Sequence, residues 1–156
     1  QFDAAWPGGL LLVTQDVEDL HERAGSKRLI RMHGELSSAL CPECDARKAW
    51  ADSLPPGTRC AACGAPSLRP DVVFFGEMPY QMDAIDAAIS RADLFVSIGT
   101  SGAVYPAAGF VRTARYHGAD TLELNLDRSE GSAWFGESRL GPAGTLVPLW
   151  VDSLLG

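Results

Sequence analysis

Four cysteines carry the most specific chemistry in the sequence. Cys41, Cys44, Cys60 and Cys63 read C-x2-C, fifteen residues, C-x2-C, the ligand spacing of a tetrahedral zinc site. Each pair would offer two thiolates from a tight turn, Pro42-Glu43 in the first and Ala61-Ala62 in the second. Gly64 follows the second pair, where a positive φ is often required. Four thiolates fill the coordination sphere and leave no position for water, so the metal would be structural and not catalytic. The alternatives are two disulfides in a secreted chain and a redox C-x-x-C. No export signal is visible to support the first, and a shared metal explains two pairs in one loop-rich insert better than the second does.

Other candidates sit singly. His33, between a short apolar run and Gly34, could be a general base working near neutral pH or an ordinary structural histidine. His21 lies among charged neighbours and reads as structural, and His117 reads as a surface residue. Gly99-Thr100-Ser101 could present backbone N–H groups and two hydroxyls to a phosphate or ribose, or be a plain Gly-rich turn. Asn125 could bind a ligand or cap a turn.

These residues need a scaffold, and the hydrophobic pattern predicts one. Leu10–Thr14 and Arg28–Met32 read as short buried strands, with a helix over Asp16–Ala24 between them that Gly25 would stop. After the cysteine insert, Ala84, Ile85, Ala88, Ile89 and Ala92 mark one face of a helix over about Met82–Arg91. Leu94–Ile98 reads as another buried strand, Thr121–Leu126 as the next strand and Tyr105–Tyr116 as a helix opened by Pro106. A last helix is expected from about Pro148 to Leu155. The sum is an α/β, doubly wound, Rossmann-like parallel sheet interrupted by a small zinc-binding module. The expected division is 1–34, first Rossmann-like part; 35–69, zinc-binding module; 70–156, second Rossmann-like part. Ligands in such sheets bind beyond the carboxyl ends of the strands, which is where His33, Gly99–Ser101 and Asn125 fall.

Composition narrows the function. The chain has 156 residues, enough for one domain with a real core. With 13 Lys and Arg against 20 Asp and Glu, its net charge of −7 disfavours a broad grip on nucleic acid or an anionic membrane. Its longest nearly apolar run, Gly8–Thr14, is far below the roughly 20 residues of a membrane span. A soluble, cytoplasmic protein is expected. Gln1–Gly9 read as the end of an earlier element, as in a fragment.

Taken together, the strings LLVTQDVEDLHERAGS, RMHGEL, the paired C-x2-C, LRPDVVFFGEMP, ISRADLFVSIGTSGAVYPAAGF and ELNLD follow the order and spacing of the sirtuins, NAD-dependent protein-lysine deacylases. The chain resembles this family over about Leu10–Leu155, and within it the bacterial, class III-like branch that removes acetyl and, in many members, succinyl or malonyl groups. The resemblance implies NAD and one structural zinc ion as cofactors and acyl-lysine proteins or peptides as partners. His33 would be the general base that deprotonates the ribose hydroxyl system after the acyl oxygen has displaced nicotinamide. The products would be free lysine, nicotinamide and O-acyl-ADP-ribose. Gln15 matches a ribose contact within the stretch Gln15, Asp16, Val17 and Glu18 that lines the cofactor. Gly99, Thr100 and Ser101 match phosphate and ribose contacts, Asn125, Leu126 and Asp127 adenosine-side contacts, and Ala143 a late adenine-side backbone contact. Gly76-Glu77 and Ala103-Val104 match two edges between which a substrate peptide adds as a strand. Val73 and Phe74 would wall the tunnel for the lysine stem, or be simple core residues.

The sequence departs from the family in two places. Gln-Asn-x-Asp becomes Gln15-Asp16-Val17-Glu18, which places a carboxylate where a neutral amide is expected and lengthens an acid by one methylene. Weakened catalysis is the expectation. The Gly-Ala-Gly-Ile-Ser loop that covers the NAD pyrophosphate is not among these residues, nor is the Tyr and Arg pair that recognises acidic acyl groups. Poor NAD affinity, an uncovered sheet edge and marginal stability are therefore expected of these residues alone. Two other readings remain: a zinc-stabilised module that binds peptide or nucleotide without turnover, and a mono-ADP-ribosyltransferase.

Overall fold

The computed structural model describes residues 2–156, so Gln1, part of the expected leading segment, lies outside the described residues. The chain divides into two compact units, Gly8–Met82 and a second made of Phe2–Pro7 with Asp83–Gly156.

In the first unit, strands β1 (Leu12–Thr14) and β2 (Leu29–Arg31) pair in parallel, with Val13 opposite Ile30. Parallel neighbours need a crossover, and a single helical turn, α2 (Leu20–Arg23), lies on it. The expected helix from Asp16 is cut short for a clear reason. The Asp16 N–H is taken by Thr14 Oγ1 at 3.0 Å, and the Val17 carbonyl accepts from Leu36 N–H at 3.1 Å and from Arg31 Nη1 at 3.2 Å. A local turn takes the Asp16 N–H and tertiary partners take the Val17 carbonyl, so the helix starts at Leu20 and ends before Gly25, whose φ is +88°.

The cysteine insert holds more regular structure than its loop-rich composition suggests. Strand β3 (Gly34–Leu40) runs antiparallel to both β4 (Arg47–Ala49) and β5 (Arg69–Val72), with a register shift between Glu35 and Ala39. Its small core is Ala39, Cys41, Cys60 and Leu68, flanked by Ala46, Trp50 and Leu54.

The second unit is a parallel sheet in the order β6 (Leu94–Ile98), β7 (Asp120–Asn125), β8 (Glu137–Leu140). Central β7 buries Thr121 through Leu124, as a strand covered on both faces should. Strand β8 reads Glu-Ser-Arg-Leu, a mostly exposed edge without an apolar run, so nothing in the pattern announces it. Helix α3 (Met82–Ile89) buries Ile85 and Ile89, four residues apart on one face. The stretch expected to be one helix from Tyr105 opens as a 3₁₀ turn at Ala107–Gly109 and continues as α4 (Phe110–Tyr116).

Helix α5 starts at Ala143 and not at Pro148, and it runs to Leu155 with Pro148 inside it. Thr145 and Leu146 N–H groups donate to the Pro142 carbonyl at 2.9 and 3.0 Å and set the first turn. Val147, Trp150, Val151 and Leu154, at helical spacing, pack on Leu122 and Leu124 of β7 together with Phe2 of the short helix α1 (Phe2–Ala5). Burying that stripe offsets the one backbone bond Pro148 cannot make. Parallel strands with helices between them, and a cysteine-bearing insert of antiparallel strands, make the α/β Rossmann-like class expected from the sequence.

Candidate functional site

The Sγ atoms of Cys41, Cys44, Cys60 and Cys63 all lie within 4.8 Å of one another, with Cys41 to Cys63 at 3.7 Å and Cys44 to Cys60 at 3.8 Å. Zinc–sulfur bonds of about 2.3 Å at tetrahedral angles require sulfur–sulfur edges of about 3.8 Å. The donor set therefore fits one Zn2+. Two matching knuckles build it. Asp45 and Gly64 donate their N–H groups to the Cys41 and Cys60 carbonyls at 2.9 and 2.8 Å, and Cys41 and Cys60 donate theirs to the Ala46 and Ala65 carbonyls. Gly64 has φ +77°, as its position after the second pair suggests, and Asp45 does the same work in the first knuckle at φ +57°. Asp is among the few side chains that tolerate this region.

Without a cation, the four sulfurs cannot all ionise together. Burial pushes the Cys41 thiol up, but hydrogen bonds from Ser67, the Glu43 backbone and neighbouring thiols outweigh it and bring it down to about 6. At Cys44 a backbone hydrogen bond at Ala46 favours the thiolate, yet Cys63, burial and the other two cysteines push it up to about 12.

His33 sits half-buried between β2 and β3, flanked by buried Met32 and Gly34. Its Nδ1 lies 3.1 Å from the Gln15 carbonyl oxygen. A carbonyl can only accept, so this contact places the ring proton on Nδ1 and leaves Nε2 with a lone pair in the neutral form. The His33 carbonyl accepts from Val73 N–H at 2.9 Å, so the backbone is fixed on both sides. Gly34 has φ +83°, and a Cβ there would overlap the Asp71 carbonyl oxygen, lying 2.9 Å from its carbon and 3.0 Å from Val72 Cα. Around His33, Gln15 and Val17 are half-buried, and Asp16 and Glu18 are exposed.

Val73 is half-buried, whereas Phe74 is 52% exposed and no core residue. Gly76 turns the chain at φ +89°. The Glu77 carboxylate accepts from Phe74 N–H at 2.9 Å and from Arg69 Nη2 at 2.8 Å, and these contacts hold its carboxyl below the usual range.

In the second unit, Gly99 ends β6 at φ +63°, and no atom lies within 4 Å of where its Cβ would stand. The loop thus leaves space beside its backbone for a bulky group such as a phosphate. The Asn125 side chain ties this loop to its neighbour, because Nδ2 donates to the Thr100 carbonyl at 2.6 Å and Oδ1 accepts from Leu126 N–H at 3.0 Å. Ser101, Leu126, Asp127, Ala103, Val104 and Ala143 are exposed, and Ala143 is the first residue of α5.

Two buried carboxylates escape the sequence reading. Asp71 accepts from Tyr80 Oη at 2.7 Å, Arg47 Nε at 3.0 Å and Ser38 Oγ at 3.2 Å. Glu123, 1% exposed in the middle of β7, accepts from Ser129, Ser132 and Ser138 hydroxyls. Burial pushes the Glu123 carboxyl up, and the hydroxyls outweigh it and hold it below its ordinary value. A carboxylate inside the apolar run Thr121-Leu122-Glu123-Leu124 was the available signal.

Against known proteins, residues 8–106 match the model of the Sir2 family. The chain is 54% identical over 151 residues to an NAD-dependent protein deacylase of Caulobacter vibrioides, covering 95% of this chain and 63% of that protein. It is similar to the crystal structure of a Sir2 homolog–NAD complex, with TM-score 0.85, 35% identity and coverage of 94% of this chain and 60% of that one. It is also similar to Sir2Af2 bound to a myristoylated histone peptide, with TM-score 0.79, 29% identity and coverage of 92% and 64%. The chain thus spans about three fifths of the length of the relatives it matches.

Proposed function

This chain belongs to the Sir2 family, and from that premise we propose that the protein removes acyl groups from protein lysines in an NAD-dependent reaction. The observation that carries the reading is the tautomer of His33: with Nδ1–H held by the Gln15 carbonyl, Nε2 is the base that accepts a ribose hydroxyl proton. NAD, when bound, supplies an anomeric carbon from which nicotinamide leaves and to which the acyl oxygen of the modified lysine attaches. Gln15, Asp16, Val17 and Glu18 would contact the ribose and nicotinamide, and Gly99, Thr100, Ser101, Asn125, Leu126, Asp127 and Ala143 would hold the rest of the dinucleotide. Gly76, Glu77 and Val104 offer backbone to the substrate strand, so main-chain bonds give affinity and side chains little selectivity. Val73 and Phe74 line the path of the lysine stem. With water as co-reactant, the products are lysine, nicotinamide and O-acyl-ADP-ribose.

The same reading divides the chain into Rossmann-like parts 1–34 and 70–156 around a zinc-binding module, 35–69, that shapes and does not catalyse. It places the protein in the cytoplasm, where thiols stay reduced and available to the metal. No described helix is long and apolar enough to cross a membrane.

Mass spectrometry of acetyl- and succinyl-lysine peptides incubated with the protein and NAD tests this. Loss of the acyl group with formation of O-acyl-ADP-ribose is expected. Peptide bound with its acyl group intact would instead make the protein a binding module, the alternative that Asp16 and Glu18 motivate. Asp16→Asn together with Glu18→Asp should raise kcat/KM for NAD by roughly tenfold, because an exposed carboxylate near the ribose replaces a group able to donate. Unchanged turnover in that double variant would show that these two positions are neutral.

A further inference from the structure

A buried carboxylate that meets no cation needs a reason, because an apolar side chain would fill the middle of β7 at no desolvation cost. Glu123 lies between Leu122 and Leu124, is 1% exposed, and among the described residues meets three hydroxyls and the Asn125 side chain but no paired Lys or Arg. Two of its three hydroxyl donors, Ser129 and Ser132, belong to the segment that follows Asn125, and the third, Ser138, belongs to β8. The Ser132 hydroxyl donates to Glu123 Oε2 at 2.6 Å, and its Oγ accepts from Ser129 N–H at 2.8 Å. This closes the segment into a tight turn around the carboxylate.

The turn so formed docks on the loop after β6. Glu130 N–H donates to the Ser101 carbonyl at 3.0 Å. Gly102, at φ +67°, lets the turn approach so closely that a Cβ there would stand 2.9 Å from Gly131 N and 3.1 Å from Ser129 Oγ. Asn125 adds the third tie, from Nδ2 to the Thr100 carbonyl at 2.6 Å. One carboxylate thus fixes the turn, and the turn braces the Gly99–Gly102 loop from the side.

Resting on the NAD reading above, we propose that Glu123 is a positioning residue for the dinucleotide: through Ser129 and Ser132 it holds the 126–132 turn against the Gly99–Gly102 loop, so that both loops stand in their binding conformation before the ligand arrives. Preorganisation of this kind lowers the ordering cost of binding and acts on affinity more than on chemistry. The depressed pKa direction of Glu123 agrees with a carboxylate that stays ionised while buried.

Glu123→Gln keeps the volume and replaces one acceptor by a donor, and Ser129→Ala removes a single donor at a half-buried position, so it serves if the first variant folds poorly. Amide hydrogen exchange of the unliganded chain and calorimetric titration with ADP-ribose are read together. Both variants should speed exchange across 129–132 about tenfold and weaken ADP-ribose about tenfold, while affinity for an acyl-lysine peptide stays within twofold. Where turnover is measurable, the KM for NAD should rise and kcat stay. Unchanged exchange overturns the brace. Faster exchange with unchanged ADP-ribose affinity, or equal losses for ADP-ribose and peptide, overturns the positioning role. Failure of the unsubstituted chain to bind ADP-ribose even at concentrations of about 10 mM, well above the roughly 1 μM–1 mM of ordinary substrate sites, overturns the NAD reading itself, while the exchange result still judges the brace.

Discussion

Stripping the metal from the cysteine cluster, by chelation or by Cys41→Ala, is expected to unfold residues 35–69. The small core of that module contains four buried residues, Ala39, Cys41, Cys60 and Leu68, and two of them are the ligands themselves. Apolar burial on that scale yields a few kcal/mol at most, about 1.5–3 for each large side chain. A structural zinc contributes apparent energies of about 10–16 kcal/mol at neutral pH. The metal term therefore dominates, since beyond the four the described module adds the half-buried Ala46, Trp50 and Leu54. Two of the six sulfur–sulfur edges, at 3.7 and 3.8 Å, already have the tetrahedral length, and all lie within 4.8 Å, so the ion would need only to draw the sulfurs together. Hydrogen exchange before and after chelation reads the outcome: amides of β3 and β4 should lose protection with one zinc released per chain. Full protection in metal-free protein would contradict the account.

Gly34→Val should be nearly as damaging, and for a separable reason. Gly34 carries two penalties at once, a left-handed φ of +83° and a backbone wall, the Asp71 carbonyl, where a side chain would begin. Strain alone costs about 1–2 kcal/mol. Overlap with a carbonyl paired within β3–β5 cannot be relieved by turning a side chain, so the sum should exceed about 3 kcal/mol. Gly25→Val is the control, since Gly25 has φ +88° and nothing within 4 Å of its would-be Cβ. Thermal unfolding should show a fall of more than about 10 °C for Gly34→Val and a few degrees for Gly25→Val. Equal shifts would mean that the overlap is relieved and only strain remains. Because Gly34 follows His33, any accommodation would also move the imidazole from the Gln15 carbonyl.

What the sequence made legible follows from which forces act locally. The cysteine spacing reads directly because a tetrahedral ion imposes its geometry on few residues, whatever surrounds them. The bounds of Leu94–Ile98 and the turn after it read cleanly because an apolar strand ending at Gly99 is a local pattern, but the strand is not the buried one expected, since it lies at the sheet edge with Leu94 and Ile98 exposed. The helix expected over Asp16–Ala24 failed because the Val17 carbonyl is claimed by Leu36 and Arg31, partners far along the chain. Pro148 looked like a helix start, yet Trp150 and Val147 gain enough against Leu122 and Leu124 to carry a proline inside α5. Strand β8 carries no pattern of its own, and its place is set by β7. In the candidate site, His33 was visible as a residue, but its proton arrangement became legible only through the Gln15 carbonyl. Asp71 needed its hydroxyl and guanidinium partners in view before it could be told from a surface acid, whereas Glu123 was marked by Leu122 and Leu124 on either side.

The central claim is that His33 is the base of an NAD-dependent deacylation, and nicotinamide release tests it most directly. The protein is incubated with NAD and acetyl- or succinyl-lysine peptide, beside His33→Ala. Release that requires the peptide and falls by about 10²- to 10⁴-fold in His33→Ala, the range expected for loss of a general base, is the predicted result. Peptide-dependent release that persists undiminished in His33→Ala, or no release from a folded, zinc-bearing protein that retains NAD, would contradict it.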